Sequence, residues 1–564
     1  MAYLRLIKVG VMVVGLLWLI IFATGLTKAQ TMTGTITVEA CEDQDANGVC
    51  GPGGPLPAGV LACLENQSGQ TTCQTAPATF TGLATGVYTA SLQFNGASRG
   101  YYPTTPPARI TLSGCTCTGC QCSGPGCICQ CECQCQAAVR LGAVYPVHPK
   151  GVAVHTGLNK VYVAFQGPKI NNDRPYPFVA VIDSATDQVI RIIPGGATGV
   201  APGGSPGIGR EPWGVAIAGD SQYVYVGSFV DGLISVINPF LDVVVTNLKP
   251  SAPFNPIAPA VNPITGQVHF PDYGGQRVVV VGGTSIIASP AIASGGVSAP
   301  FEMVIANALN GYNFVTLRDA VNTPFQFRSF DTPTLANPNP PISQHNLPST
   351  GSPHAIGLWQ KAGMSAPPRL FLTYAENLTN PNKLLIYSFS PANPGAVAQQ
   401  GGPINLGRDF AEAGLIYHPT ANHMLGTYGG FLYIGDNGDV AACNSPIRGG
   451  TYALDFDGRV LGEADGADTA TVWRLPQVVV GNPPLTGTSL QWRNPFELAL
   501  NPNNGKVYVT DRCWTDFPAG GKPGGGAVLV FTDVSTGGAL PSGTYLPAVV
   551  KSEAINISSF NPGG

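Results

Sequence analysis

A short motif that recurs along this chain constrains its fold more than any other feature. The clearest copy begins at Pro495 and continues through a turn rich in Asn, Pro and Gly into Lys506-Val-Tyr-Val-Thr510. Two alternating apolar stretches joined by such a turn predict a short antiparallel hairpin. Seven copies occur, and they begin at Pro149, Pro212, Pro256, Pro300, Pro353, Phe410 and Pro495. The chain is therefore predicted to be a repeat protein.

The spacing of the copies predicts a propeller. Successive copies begin 63, 44, 44, 53, 57 and 85 residues apart. A four-stranded propeller blade occupies about 40 to 50 residues, and longer steps leave room for inserted loops. A second apolar pair follows the hairpin, most clearly at 178–193 and 232–245. We therefore predict an all-β chain with a β-propeller at 138–564. Seven blades are favoured, the long last step leaves six or eight open, and 545–550 is a candidate closing strand.

Composition limits the other fold and partner classes. The 564 residues include 72 Gly and 51 Pro, which interrupt nearly every window in which a helix would form. The formal net charge is −4, and no basic block occurs. This charge pattern argues against a nucleic-acid partner held through its phosphates.

The first 30 residues have the pattern of a signal peptide. Arg5 and Lys8 precede an uncharged run at 9–26, and Ala29 offers a small residue before Gln30. The pattern predicts a secreted, extracellular or cell-surface protein, with the periplasm left open, and no membrane contact beyond this segment. Since the run is about long enough to cross a bilayer, an uncleaved signal anchor is the alternative.

Residues 31–114 are predicted to form a small β-sandwich. The stretch contains an Asp/Asn-Gly loop at 43–48, a Pro-Leu-Pro-Ala-Gly-Val strand at 55–60, and Gly82-Leu-Ala-Thr-Gly-Val-Tyr88. These motifs resemble the B-type repeat domains of bacterial surface adhesins, which are prealbumin-like β-sandwiches. The resemblance implies an adhesin-like domain of about eighty residues.

The Asp/Asn-Gly loop is a candidate calcium site. Calcium prefers several oxygen ligands, and the loop offers the side chains of Asp43, Asp45 and Asn47 and the carbonyl of Val49. A complete EF-hand would need a Glu where this chain has Gly54. A partial calcium loop and an Asx-rich turn both remain open.

Cysteine usage predicts extensive disulfide bonding. In an exported protein, the cysteines outside the densest stretch are most simply disulfides: Cys41, Cys50, Cys63, Cys73, Cys443 and Cys513. Three pairings are open for the first four, and a bond between the last two would join neighbouring repeat units. The stretch 115–137 is predicted to connect the sandwich to the propeller. It holds nine more, namely Cys115, Cys117, Cys120, Cys122, Cys127, Cys129, Cys131, Cys133 and Cys135.

The nine-cysteine stretch allows two chemistries. Its Cys-x-Cys units are similar to metallothioneins, and this resemblance implies zinc or copper(I) held by thiolates. Oxidation outside the cytoplasm favours disulfides instead, and the odd count leaves at least one thiol that is either free or bonded to another molecule. No Cys-x-x-Cys-His occurs, so covalent haem is not predicted.

The repeats resemble YVTN/NHL-type β-propellers of exported bacterial and archaeal proteins, through strings such as Val507-Tyr-Val-Thr510. That group includes lactonases, quinoprotein-like dehydrogenases and surface proteins that only bind. The resemblance therefore implies export and a propeller, but it leaves the task of the propeller open.

The residue two places after each motif start is predicted to lie near the propeller axis. Around the ring this position holds Gly151, Gly214, Ala258, Glu302, Ala355, Glu412 and Glu497. Three carboxylates near one axis, with His354 close by, are candidate ligands for calcium or another divalent ion. The alternative is a hydrated rim without metal.

No other motif indicates an enzyme. The seven His residues form no close-spaced metal motif, and no Gly-x-Ser-x-Gly elbow occurs. We therefore favour a binding or structural assembly module whose partners are other surface proteins or copies of itself. An exported lactonase-like or dehydrogenase-like enzyme that uses the three glutamates, and metal binding by the cysteine stretch, are the alternatives.

Overall fold

The computed structural model of the chain is built almost entirely from β-strands. It describes residues 33–43, 56, 58–94, 102–104, 107–113, 116–121, 130–144, 148–167, 175–201, 204–292, 299–308, 311–318, 326–331, 343–347, 352–360, 366–375, 383–406, 414–419, 422–428, 450–464, 495–511 and 527–532. Within these ranges no helix has the length and apolar character needed to cross a membrane. The predicted signal segment and closing strand lie outside them.

The predicted N-terminal β-sandwich is present. One sheet has the order β4-β1-β9-β6, with β8 also paired to β9, and the other has the order β3-β2-β5-β7. The strands are β1 (Thr33–Glu42), β2 (Val60–Glu65), β3 (Thr71–Thr75), β4 (Ala78–Ala84), β5 (Gly86–Phe94), β6 (Tyr102–Pro103), β7 (Ala108–Leu112), β8 (Thr116–Gln121) and β9 (Gln130–Val144).

The core of the sandwich lies between its two sheets. Ile36 and Val38 of β1 are fully buried and belong to the same apolar cluster as Ala62 and Leu92 of the facing sheet. Their spacing follows the two-residue period of a strand, in which alternate side chains face the core. Burial of every second side chain therefore accounts for the apolar residues at positions 36 and 38.

The cysteine-rich stretch contributes two strands to the first sheet. β9 pairs in parallel with β1, from Thr33 opposite Gln134 to Glu42 opposite Ala143. The predicted connector at 115–137 therefore differs from the structure, in which strand pairing continues to Val144. The difference arises because parallel pairing joins segments about a hundred residues apart, and no local pattern marks such a contact.

A disulfide joins two strands of the second sheet. Cys63 and Cys73 lie directly opposite each other on β2 and β3, with 4.1 Å between their Cα atoms. The sequence predicts that Cys63 and Cys73 are disulfide-bonded but leaves their partners open, and the structure pairs them with each other. Cys41 is disulfide-bonded as well. The remaining predicted disulfide residues, Cys50, Cys443 and Cys513, lie outside the described ranges.

Seven successive sheets follow in the described part of 138–564, in agreement with the predicted propeller fold. The first four contain β10 (Pro149–His155), β11 (Lys160–Phe165), β12 (Phe178–Asp183), β13 (Gln188–Pro194); β14 (Pro212–Ile217), β15 (Val224–Ser228), β16 (Leu233–Asn238), β17 (Val243–Leu248); β18 (Ala260–Val261), β19 (Val268–Asp272), β20 (Arg277–Gly282), β21 (Ser285–Ala288); β22 (Ala299–Ala306), β23 (Tyr312–Arg318), β24 (Gln326–Asp331) and β25 (Ser343–Asn346).

The last three sheets complete the series. They contain β26 (Ser352–Trp359), β27 (Arg369–Ala375), β28 (Lys383–Ser390), β29 (Asn393–Gln399), β30 (Ile404–Asn405); β31 (Leu415–His418), β32 (His423–Tyr428), β33 (Gly450–Leu454), β34 (Val460–Ala464); β35 (Pro495–Asn501), β36 (Lys506–Asp511) and β37 (Ala527–Thr532). The seventh sheet has three strands within the described residues.

The first strands of these sheets contact one another around a closed ring. β10 contacts β14 on one side and β35 on the other, and the intermediate first strands follow in chain order. Apolar clusters lie between neighbouring sheets, and one of them joins Val161 and Phe178 of the first sheet to Tyr508 and Val530 of the seventh. Side-chain packing between the first and last sheets therefore closes the ring.

Candidate functional site

An irregularity near the start of the first strand recurs from sheet to sheet. In β10, β14, β22, β26 and β35, the register with the second strand shifts just after the starting Pro. Such a bulge inserts a residue into one strand and redirects its side chains. The side chain two places after the Pro therefore does not follow the regular alternation of the strand.

Glycine occupies that position where neighbouring sheets approach closely. A Cβ atom added at Gly151 would lie 2.6 Å from the carbonyl oxygen of Trp213. One added at Gly214 would lie 2.6 Å from the carbonyl oxygen of Ile257. Gly151 faces the first strand of the next sheet, and Gly214 faces the residues that lead into the first strand of the next sheet. Neither position leaves room for a side chain.

Glutamate at the same position reaches the next sheet with its carboxylate. The backbone N–H of Val152 donates to Glu497 Oε2 at 3.3 Å, across the junction between the last and first sheets. The backbone N–H of Ile356 donates to Glu302 Oε2 at 3.1 Å. Two of the three predicted carboxylates thus bind backbone groups of the neighbouring sheet.

The environments of these two carboxylates are linked. Burial raises the pKa of Glu497 well above its usual value, and the negative charge of Glu302 raises that pKa further. The Val152 N–H and the positive charge of Lys150 oppose the rise. Glu302 is buried, and Glu497 is partly buried. The structure therefore brings Glu302 and Glu497 into electrostatic range of each other, whereas Glu412 and the side chain of His354 lie outside the described part.

A buried lysine directly precedes the axial position of the first sheet. Lys150 Nζ is 3.1 Å from the centroid of the Trp213 ring, and the side chain is almost fully buried. The Trp213 ring is 6.1 Å from that of Phe496. A cation over an aromatic face is attracted by the ring quadrupole, and the attraction strengthens when water is excluded. Lys150 therefore holds Trp213 in place.

Aromatic side chains continue outward from Trp213. The ring of Phe229 lies 5.2 Å from Trp213, and the ring of Tyr273 lies 6.1 Å from Phe229. We call Trp213, Phe229 and Tyr273 the aromatic row. Each of the three is partly exposed. They lie near the starts of first strands and the ends of second strands, at the end of the ring that we call the opening face.

Two ion pairs brace the loops that carry the aromatic row. Arg210 donates through Nε and Nη2 to Asp231 Oδ1, at 2.9 and 2.8 Å. Arg277 Nε donates to Asp272 Oδ2 at 2.7 Å, and Asp272 Oδ1 accepts from the backbone N–H of Asn255 and of Gly275. Hydrogen bonds to charged groups are stronger than neutral ones. These ion pairs and hydrogen bonds therefore restrain the loops of the opening face.

Of the predicted calcium loop, the structure describes only the first residue. Asp43 is fully buried, and its Oδ2 accepts a hydrogen bond from the Thr104 hydroxyl. Asp45, Asn47 and Val49 lie outside the described ranges. Among the residues that the structure describes, no group of three His, Cys, Asp or Glu side chains is placed to hold a metal ion.

Sequence reasoning missed the aromatic row. Trp213 lies one residue from a predicted axial position, but Phe229 and Tyr273 lie in loops after second strands, for which no prediction was made. A search for aromatic residues directly after each Val-Tyr-Val strand would have found Phe229. Tyr162, Tyr225 and Tyr508 of the second strands are, by contrast, fully buried in the apolar clusters of the sheets.

Comparison with known proteins gives structural similarity alone. No family model matches the chain. No curated protein matches it significantly. Among solved structures, hydrazine synthase of Kuenenia stuttgartiensis has a TM-score of 0.42 and 10% identity, over 64% of this chain and 92% of that one.

Two propellers give similar values. The Dos1 propeller has a TM-score of 0.43 and 8% identity, over 73% of this chain and 95% of that one. The β-propeller domain of Myceliophteria thermophila Cps50 (Swd1) has a TM-score of 0.42 and 8% identity, over 74% of this chain and 99% of that one. Because every one of these TM-scores is below 0.5, the propeller assignment is based on the sheets of the chain itself.

Proposed function

We propose that this chain is an exported cell-surface or extracellular β-propeller protein that acts as a binding or structural assembly module. Its partners are copies of itself or other surface proteins, and disulfides such as Cys63–Cys73 stabilise it. The signal-peptide pattern at 1–30 supports export. The disulfide supports it as well, since disulfides form and persist in oxidising compartments.

The aromatic row is the observation that carries this proposal. Tyr and Trp dominate the energetics of many protein interfaces because they bury a large area with few rotatable bonds. Trp213, Phe229 and Tyr273 are partly exposed, and braced loops hold them. A rigid aromatic surface loses little conformational entropy on binding, which suits an assembly module.

The use of the axial carboxylates also supports a binding module. Glu302 and Glu497 each accept a backbone N–H from the next sheet, so both side chains already have a structural task. A module that binds through its opening face needs no metal at this position.

An exported lactonase-like or dehydrogenase-like enzyme is the second candidate function. One observation favours it: the charge of Glu302 raises the pKa of Glu497, and a divalent cation between two such carboxylates would relieve their repulsion. Calcium in the Asp43 loop, and zinc or copper at the cysteine stretch, are separate proposals that neither function requires.

Sedimentation velocity of the mature protein tests the assembly proposal. We expect the wild type to self-associate reversibly, and Phe229→Ala and Tyr273→Ala to weaken that association at least tenfold. Tyr223→Ala is the matched control, because Tyr223 is a partly buried tyrosine at the opposite end of the same sheet as Phe229. Self-association that neither opening-face variant changes would contradict a role for the row in self-assembly, as would a monomeric wild type.

Export is tested separately by the intact mass of protein recovered outside the cytoplasm. Cleavage after Ala29 leaves a chain that begins at Gln30. Recovery of the chain only from the cytoplasm, with its first residues intact, would contradict export and leave the assembly experiment unaffected.

A further inference from the structure

The cysteine-rich strands β8 and β9 form an antiparallel ribbon in which two cysteines lie directly opposite each other. Thr116 is opposite Gln134, Cys117 is opposite Cys133, and Thr118 is opposite Glu132. Residues at directly opposite positions of an antiparallel pair have Cα atoms about 4.5 to 5.5 Å apart. Disulfides usually join Cα atoms about 4.4 to 6.8 Å apart. Backbone register therefore places Cys117 and Cys133 within bonding range.

The same chain shows that this register supports a disulfide. Cys63 and Cys73 occupy directly opposite positions on β2 and β3, and they are bonded. The pair 117/133 repeats that relationship on another antiparallel strand pair of the same sandwich.

A cross-link would also stabilise the ribbon. β1 pairs with β9 only from Gln134 onward, so within the described residues 130–133 pair with β8 alone. A two-stranded ribbon without further packing is only marginally stable in water. A covalent bond between its strands restricts the unfolded chain and keeps the register fixed.

We propose that Cys117 and Cys133 form a cross-strand disulfide that staples this ribbon. On formation, the two thiols release two protons and two electrons, and an S–S bond joins the two sulfur atoms. A second disulfide accepts the electrons by thiol–disulfide exchange and leaves as two thiols. In the cell, the oxidising surroundings come from the proposed export. In vitro, oxidised glutathione supplies that second disulfide, so the bond is tested independently of location.

Peptide mapping of the full chain tests the bond. The protein is refolded with a glutathione redox pair, free thiols are alkylated at acid pH, and the chain is cleaved after glutamate without reduction. Because Glu132 is the only glutamate between Cys115 and Cys135, this cleavage separates Cys133 from Cys117. We expect the fragment that begins at Cys133 to remain attached to the preceding one, with the link located at Cys117 by fragmentation in the mass spectrometer. Detection of the Cys63–Cys73 link in the same digest confirms that the protein has refolded.

Two matched variants sharpen the test. In one, only Cys117 and Cys133 of the nine-cysteine stretch remain, and the others are replaced by Ser. In the other, only Cys120 and Cys133 remain. Since Cys120 is not opposite Cys133, the first variant should cross-link almost completely and the second at least tenfold less.

Three results would overturn the proposal. The first is a link from Cys133 to a cysteine other than Cys117 in the wild type. The second is equal cross-linking in the two variants. The third is zinc or copper bound to the refolded protein, with a chelator making Cys117 or Cys133 reactive without reductant.

Discussion

Tyr508 in the last sheet of the ring donates a hydrogen bond to Asp187 in the first, with 2.8 Å between the hydroxyl and Asp187 Oδ1. Lys506 Nζ lies 2.6 Å from the other oxygen of the same carboxylate. The relationship recurs one step along the ring, where Tyr162 and Lys160 contact the two oxygens of Asp242. The Lys-x-Tyr pattern of the repeat therefore joins each of these sheets to the next through a buried carboxylate.

Removal of the Tyr508 hydroxyl should weaken the junction that closes the ring. We expect Tyr508→Phe to lower the free energy of unfolding by about 1.5 to 3 kcal/mol, because the lost hydrogen bond goes to a buried charged group. Tyr162→Phe, which removes the equivalent hydroxyl between the first two sheets, is the matched variant and should cost a similar amount. Urea denaturation measures both, and no loss in either would contradict this role of the motif.

A methyl group at Gly214 should be poorly tolerated. Its Cβ would lie 2.2 Å from Cδ of Pro259 and 2.6 Å from the carbonyl oxygen of Ile257, so β14 and the segment that leads into β18 would have to separate. Overpacking of this kind costs about 1 to 3 kcal/mol or more. Gly402→Ala is the control, since a Cβ there has open space around it. Thermal unfolding should show a large loss for Gly214→Ala alone, and equal melting temperatures would contradict the close approach of the sheets.

Stability should depend on pH through Glu497. Its pKa is raised on folding, so its contribution to stability is fully present below the unfolded pKa of about 4.5 and is lost as the pH rises through the folded pKa. Glu497→Gln keeps an oxygen for the Val152 N–H and carries no charge. We expect this variant to be more stable than the wild type at pH 7, with a difference that disappears below pH of about 4. A variant that is less stable at every pH would contradict the burial argument.

His155 is predicted to be replaceable by asparagine but not by alanine. Its Nδ1 accepts the backbone N–H of Leu158 at 3.2 Å, so Nε2 carries the proton and donates to the carbonyl oxygen of Ser221 in the next sheet at 2.9 Å. Asn501, at the same turn position of the last sheet, also binds both its own turn and a neighbouring sheet. His155→Ala should cost about 1 kcal/mol more than His155→Asn in urea denaturation. Equal losses would show that the ring nitrogens contribute nothing.

Local patterns were sufficient to predict the repeat and its hairpins. The turn of each clear motif copy contains a residue with positive φ, which is Asn159, Gly266 or Gly505 in three copies and Ser221 in the copy that starts at Pro212. The frequent use of Asn and Gly follows from this requirement. Contacts between distant segments were not predictable in this way. The parallel pairing of β9 with β1 leaves no local signature, and neither does the proximity of Phe229 to Trp213.

For the axial glutamates, too, the sequence predicted the position but not the contacts. Repetition alone placed Glu302 and Glu497 at equivalent positions near the centre of the ring. The direction of their carboxylates depends on the bulge after each starting Pro and on the distance to the next first strand. These quantities exist only in the folded ring, so the sequence could not show that both side chains bind backbone N–H groups.

Calorimetric titration of the metal-free mature protein with calcium tests most directly whether the ring is a binding module or a metal-dependent enzyme. The comparison is between the wild type and the double variant Glu302→Gln/Glu497→Gln, whose amide oxygens still accept the two backbone N–H groups. Asp43→Asn identifies any calcium held by the N-terminal loop. We predict the same number of ions per chain in the wild type and the double variant. An ion bound by the wild type and lost in the double variant would contradict the account and support the enzyme.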